Sequence, residues 1–84
     1  MIERIVRTND AEASKILNGE KTYFVRSDKE VYKIGYAVRF QNYKQAKPVY
    51  HPISKVKYVV SNVDNFQTAP VERGYQLISV RASK

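Results

Sequence analysis

The spacing of apolar and polar residues predicts one short helix and about five strands. Clusters of β-branched and aromatic residues, with alternation in several of them, mark five strand segments: 2–7, 21–26, 36–43, 53–60 and 75–81. Between the first two, Ala13, Ile16 and Leu17 form a narrow apolar stripe at helical spacing. Asn9 is a suitable helix N-cap, and Asn18-Gly19 supplies the left-handed residue that ends a helix.

Polar segments separate these elements and limit the possible architectures. Residues 27–30 and 62–70 read as loops, and residues 42–52 read as a loop or a widened hairpin, since Pro48 and Pro52 discourage a central strand. The fold class is therefore α+β and mainly β. A single helix with five strands favours a small, partly closed barrel. The helix could make a parallel crossover or cover a barrel end, and the pattern alone does not choose between these arrangements.

Length and composition predict a single small domain and exclude several classes of protein. Its 84 residues correspond to a single domain, 1–84. The absence of cysteine excludes a disulfide scaffold, a zinc ribbon and a thiol nucleophile. No run of apolar residues is long enough for a membrane span or a signal peptide, so we expect a soluble, cytoplasmic domain with no membrane partner.

The distribution of charge indicates the chemistry of a partner. The chain has 15 basic and 8 acidic residues, a net charge of +7. Between Glu30 and Asp64 there is no acidic residue, and the six basic residues of that stretch alternate with six aromatic ones. Basic groups interleaved with aromatic rings suit a polyanion with stackable bases. The alternative is a solvated basic face with the aromatic residues in the core.

Three segments, in order, resemble one known family. The run 18–26, Asn-Gly-Glu-Lys-Thr-Tyr-Phe-Val-Arg, resembles the Gly-x-Lys-Thr-x-Glu-x-Arg signature of ASCH (activating signal cointegrator homology) domains of the PUA-like superfamily. Residues 31–35 resemble the segment that leads into the family's third strand, and residues 74–80 resemble its closing strand. The resemblance covers nearly the whole chain and is greatest to short, single-domain, phage-associated members.

The resemblance implies a five-stranded PUA-like barrel, with the helix between the first and second strands beside a cleft that binds RNA. Carried over by position, the signature points to Lys21, Thr22 and Arg26 as cleft residues. Two positions depart from the family pattern: Phe24 replaces the Glu of the signature, and Tyr36 replaces an Asp. One branch of the family hydrolyses acylated cytidine with a Thr at the position of Phe24, and a phenyl ring cannot act as that nucleophile.

These observations predict a non-catalytic module that binds nucleic acid, with RNA as the expected ligand, in a basic cleft. Lys21 and Arg26 would contact phosphate or a base edge, and Tyr32 or Tyr36 would stack on bases. Lys55 and Lys57, on the polar face of a strand, are either phosphate contacts or solvated surface. The full set of predicted nucleic-acid-binding residues is Lys21, Thr22, Arg26, Tyr32, Tyr36, Lys55 and Lys57.

Two other function classes stay open. The chain could be an amidohydrolase for a modified nucleoside, with Lys21 as base and Thr22 as a displaced nucleophile. It could also be a protein-interaction module in transcription or phage biology. We expect neither a metal nor a cofactor, because His51 is the sole histidine and no phosphate-cradling glycine loop is present.

Overall fold

The computed structural model describes residues 2–83 and confirms a mainly β, α+β chain. The strands are β1 (Glu3–Thr8), β2 (Tyr23–Ser27), β3 (Ala37–Lys44), β4 (Lys47–Pro48), β5 (Tyr58–Asn65) and β6 (Tyr75–Ala82). A helix, α1 (Asp10–Leu17), lies between β1 and β2 as the sequence predicts, and a 3-10 helix (Pro52–Lys55) precedes β5.

The predicted signals set both ends of α1. The Asn9 side chain accepts a hydrogen bond from the backbone N–H of Glu12 at 2.9 Å, which satisfies one of the free donors of the first turn. The helix buries Ala13 and Ile16 and then ends. Gly19 follows with φ +80°, a left-handed conformation that most residues avoid, and it turns the chain toward β2.

The strands form one sheet in the order β1-β3-β5-β6-β2, with β4 paired to β3. β1 runs parallel to β3, and the other pairs are antiparallel. α1 therefore does not connect two parallel neighbours, because β2 joins the opposite edge of the sheet. The sheet is open: its edge strands β1 and β2 have no backbone pairing with each other, so the five-stranded barrel is not confirmed.

Residues 42–52 contain a hairpin, one of the two predicted arrangements for this segment, in which Gln45 and Ala46 adopt positive φ and allow the short strand β4. Both ends of the predicted strand 53–60 differ from the prediction. The predicted strand 53–60 begins as a 3-10 helix instead, because the His51 ring Nδ1 accepts from the Ile53 N–H at 3.1 Å. β5 then continues through residues 62–65, predicted as loop, because their backbone pairs with β6 past a register shift.

Three aromatic rings pack in a row in the core. The Phe40 ring packs edge-to-face on Phe24, with ring centroids 5.6 Å apart, and on Tyr58, with ring centroids 5.2 Å apart. Such contacts are worth about 0.5–1.5 kcal/mol each beyond the buried area. Since Phe24 is 1% exposed, the residue that replaces the family's Glu is a core residue of β2.

The gap between β1 and β2 is bridged by one guanidinium. Arg26 Nη1 donates to the Val25 carbonyl on β2 at 2.8 Å, and Arg26 Nη2 donates to the Arg7 carbonyl on β1 at 2.9 Å. The same group lies 5.2 Å from the centroid of the Phe24 ring. Among residues 2–83, Arg26 forms no ion pair with Asp28 or Glu30. Its side chain thus supplies a connection that backbone pairing does not.

We expect Arg26→Ala to lower the free energy of unfolding by about 1–3 kcal/mol, because two charge-assisted hydrogen bonds are lost. Arg26→Lys should recover less than half of the loss, since one ammonium cannot bond both carbonyls in the same geometry. Urea denaturation measures both effects, with Lys29→Ala, an exposed neighbour, as the control for charge. Unchanged stability in Arg26→Ala would show that the bridge does not hold the two edges.

Candidate functional site

A small cleft lies at the C-terminal end of α1, where β2, β5 and β6 come together; we call it the helix-end cleft. Its volume is about 150 Å³. The lining residues are Ile16, Leu17, Gly19, Lys21, Thr22, Tyr58, Val80, Arg81 and Ala82. Apolar side chains make up most of this lining, and the two basic residues and a threonine add polar groups. The cleft can accept a group with an apolar ring and an anionic substituent.

Backbone hydrogen bonds fix the segments that form the helix-end cleft. The N–H groups of Glu20 and Lys21 both donate to the Lys15 carbonyl, at 2.9 and 3.1 Å, and this holds the turn after α1. The Val80 N–H donates to the Thr22 carbonyl at 2.8 Å, which ties the turn to β6. β2 begins at Tyr23 rather than at the predicted residue 21, so Lys21 lies in the turn before the strand and can share a site with its start.

Lys21 is engaged on one side by a carboxylate. Its Nζ lies 3.1 Å from Glu12 Oε2, and the other oxygen of Glu12 accepts from the Thr8 hydroxyl at 3.1 Å. Lys21 Nζ also lies 5.3 Å from the centroid of the Tyr23 ring. The ammonium is therefore held in position by β1, α1 and the start of β2. Two of its three N–H groups remain for other acceptors.

Tyr58 contributes a hydroxyl without a partner. The residue is only 5% exposed and lines the helix-end cleft, so the small exposed part of its side chain faces that cleft. Its hydroxyl makes no hydrogen bond with residues 2–83, yet it is not sealed from solvent. Burial raises the pKa of the Tyr58 hydroxyl above its ordinary value of 10.0. The group is a neutral donor and acceptor at physiological pH.

The charge lining the helix-end cleft distinguishes it from two wider concavities. One groove of about 300 Å³ lies on the outer face of β2 and β6 and includes Glu72 as its sole charged residue. Another, of about 410 Å³, lies beside α1 and includes Glu12 and Glu20 with Lys15 and Lys21. The helix-end cleft is lined by two basic and no acidic residues. It is the best suited of these three to an anion.

The structure brings Lys21 and Thr22 together in the helix-end cleft but separates them from Arg26 and Tyr32. Arg26 bridges β1 and β2, and it lies near Tyr32, which is buried and packs edge-to-face on Phe24 at 5.6 Å. The Tyr32 hydroxyl donates to Glu30 at 3.4 Å, and burial followed by the Glu30 carboxylate raises its pKa. Tyr32 therefore does not present a free face for stacking.

The remaining predicted residues lie elsewhere. Tyr36 is half-buried and packs against the core. Lys55 is exposed on the 3-10 helix, with its Nζ 5.7 Å from the centroid of the Tyr50 ring. Lys57 is exposed just before β5, and its carbonyl accepts from the Ser83 N–H at 2.8 Å, next to cleft residue Ala82. Of Lys55 and Lys57, Lys57 is the one whose backbone hydrogen-bonds to a residue adjacent to the cleft lining.

Sequence reasoning missed Tyr58 and Arg81. In the sequence Tyr58 lies within the predicted strand 53–60, and Arg81 is the last residue of the predicted strand 75–81. The signal that could have found them is the antiparallel pairing of β5 and β6, which places Tyr58 opposite Ala82. That register brings the start of β5 and the end of β6 to the same end of the sheet.

Residues 2–83 contain no group of three or more acidic, histidine or cysteine side chains that could hold a metal ion. No helix formed by these residues has the length and apolar character needed to cross a membrane.

The raised pKa of Tyr58 gives a pH dependence with a defined sign. Above pH 10.0 the unfolded tyrosine releases its proton while the folded one keeps it, so the folded state binds more protons and stability falls as pH rises. We expect Tyr58→Phe to make this decrease shallower between pH about 9 and about 11. Urea denaturation at stepped pH measures it, with the exposed Tyr75→Phe as control. Identical pH profiles for wild type and Tyr58→Phe would contradict the assignment.

Comparison with known proteins adds no relative: no protein-family model matches the chain, and no curated protein matches it. The resemblance to ASCH domains stays a prediction from the three sequence segments.

Proposed function

We propose that the protein is a non-catalytic module that binds single-stranded nucleic acid, with RNA as the expected ligand, at the helix-end cleft, as a PUA-like ASCH domain would. The observation that carries the proposal is the position of Lys21, Thr22 and Arg81 around one cleft with no acidic residue in its lining. Ammonium and guanidinium groups are the usual phosphate contacts in such proteins. The net charge of +7 supports the same partner by steering a polyanion toward the surface.

Arg81 is the group best placed for a phosphate contact. It is exposed, lines the cleft and forms no ion pair among residues 2–83. Lys21, in contrast, shares its charge with Glu12 and also holds the turn before β2. Arg81 can therefore engage a phosphate without breaking an internal contact, whereas loss of Lys21 would disturb both the fold and the site.

The alternative function is an amidohydrolase that acts on a modified nucleoside. Its supporting observation is that Thr22 and Lys21 line the same cleft. Two features favour binding instead. Phe24, at the position of the hydrolytic branch's threonine, is packed in the core, and the Lys21 amine that would act as base is paired with Glu12. A protein-interaction module with an acidic partner has no specific feature in its favour.

Binding should weaken steeply with salt. For a single strand, the slope of log K against log salt is about −0.7 per phosphate contacted, so three to four contacts give about −2 to −3. Fluorescence anisotropy of a labelled oligouridylate, repeated at several salt concentrations, measures this slope. Duplex RNA and single-stranded DNA of equal length are the comparison ligands. No detectable binding at low salt would refute the proposed function.

Two arginines at opposite ends of β6 give a matched test of the site. Arg81 lines the cleft near the end of β6, and Arg73 lies two residues before the strand begins, at its other end. Each substitution to Ala removes one exposed positive charge. Arg81→Ala should reduce oligouridylate affinity by about tenfold, the value of a charge-assisted hydrogen bond, and Arg73→Ala by less than about twofold. Equal losses would mean that only the total charge matters and that the cleft is not the site.

A further inference from the structure

The helix-end cleft has a size and lining that match one small ring. A cavity of about 150 Å³ lined by apolar side chains is known to hold a single benzene molecule. The helix-end cleft has the same volume, and Ile16, Leu17 and Val80 supply apolar surface. A phosphate attached to such a ring would then be available to Arg81, the exposed basic residue of the lining.

Within this lining, the Tyr58 hydroxyl is a polar group that no other side chain occupies. Although the residue is only 5% exposed, its hydroxyl is not sealed from solvent and stays accessible from the cleft that Tyr58 lines. The hydroxyl of the other deeply buried tyrosine, Tyr32, instead donates to Glu30. Tyr58 makes no hydrogen bond with residues 2–83. Its ring is meanwhile fixed by the edge-to-face contact with Phe40 at 5.2 Å, so the hydroxyl is held in a defined place.

We propose that Tyr58 is a ligand-recognition residue: its hydroxyl hydrogen-bonds the polar edge of one unstacked base whose ring enters the helix-end cleft. The inference rests on the proposed function and extends it from phosphate contacts to a base contact. A phenolic hydroxyl both donates and accepts, so it can pair with a carbonyl or with a ring nitrogen of the base. Recognition of this kind requires a single strand, because in a duplex the base edge is already paired.

The test compares two tyrosine-to-phenylalanine variants for binding and stability. Because the Tyr58 hydroxyl has no internal partner, Tyr58→Phe should keep the wild-type thermal midpoint at neutral pH. Its affinity for oligouridylate, whose one-ring base fits the cleft, should fall about fivefold, the value of one neutral hydrogen bond. Tyr75→Phe, at the far end of β6, should change neither quantity. An affinity loss below about twofold in Tyr58→Phe, with wild-type binding intact, would overturn the inference but not the proposed function.

A second readout does not depend on RNA binding. Protein labelled with ¹³C at the tyrosine ring Cζ is titrated with uridine 5′-monophosphate, and the Tyr58 signal is assigned by its absence in Tyr58→Phe. We expect the Tyr58 signal to shift with the ligand while that of Tyr75 stays constant. A shift without oligonucleotide binding would support Tyr58 recognition and refute the RNA function. A constant Tyr58 signal at saturating nucleotide would overturn the inference.

Discussion

The two edge strands, β1 and β2, lie beside each other without a shared backbone ladder, and side chains from three elements connect them. At one position Arg26 on β2 donates to the Arg7 carbonyl on β1. At the other, Glu12 on α1 accepts from Thr8 on β1 and from Lys21 before β2. Both connections are charge-assisted or involve an ionised group, which makes each stronger than a neutral hydrogen bond. The contact between these two edges therefore includes two polar side-chain links and no row of backbone hydrogen bonds.

This arrangement explains why Lys21 and Arg26, the two cations of residues 18–26, differ in their contacts. Arg26 hydrogen-bonds across the gap between β1 and β2 and does not line the helix-end cleft. Lys21 is linked to β1 through its ion pair with Glu12, and it also lines the helix-end cleft. A substitution at either residue would confuse loss of structure with loss of binding. Arg81 and Tyr58 carry no such double role, because neither makes an internal polar side-chain contact among residues 2–83. They are the informative positions for function.

Signals local in the sequence predict the helix and the mainly β class of the fold. Features that depend on contacts between distant residues are not predicted. The Asn9 cap and the turn at Gly19 act within a few residues, so the sequence alone places α1 correctly. The 3-10 helix after His51 depends on one side chain that accepts from the backbone two residues on, which an alternating apolar pattern conceals. Whether the sheet closes into a barrel, and what the Arg26 side chain contacts, depend on the distance between β1 and β2. No spacing of residues along the chain encodes that distance. The sequence alone therefore does not predict the open sheet or the bridging role of Arg26.

The basic stretch between Glu30 and Asp64 has a different role from the one its composition first indicates. Its cations are distributed over the molecule: Arg39 lies 3.6 Å from Glu3, Lys55 lies near Tyr50, and Lys44 and Lys47 flank the β3–β4 turn. Six like charges spread in this way attract a polyanion from a distance but do not define where it docks. The docking position requires a concave surface with groups that the fold has left free, and those groups come from α1, β5 and β6. Tyr58 belongs to the stretch as a core aromatic residue that also lines the helix-end cleft. In the proposed function, the stretch therefore supplies both the long-range attraction and one short-range contact.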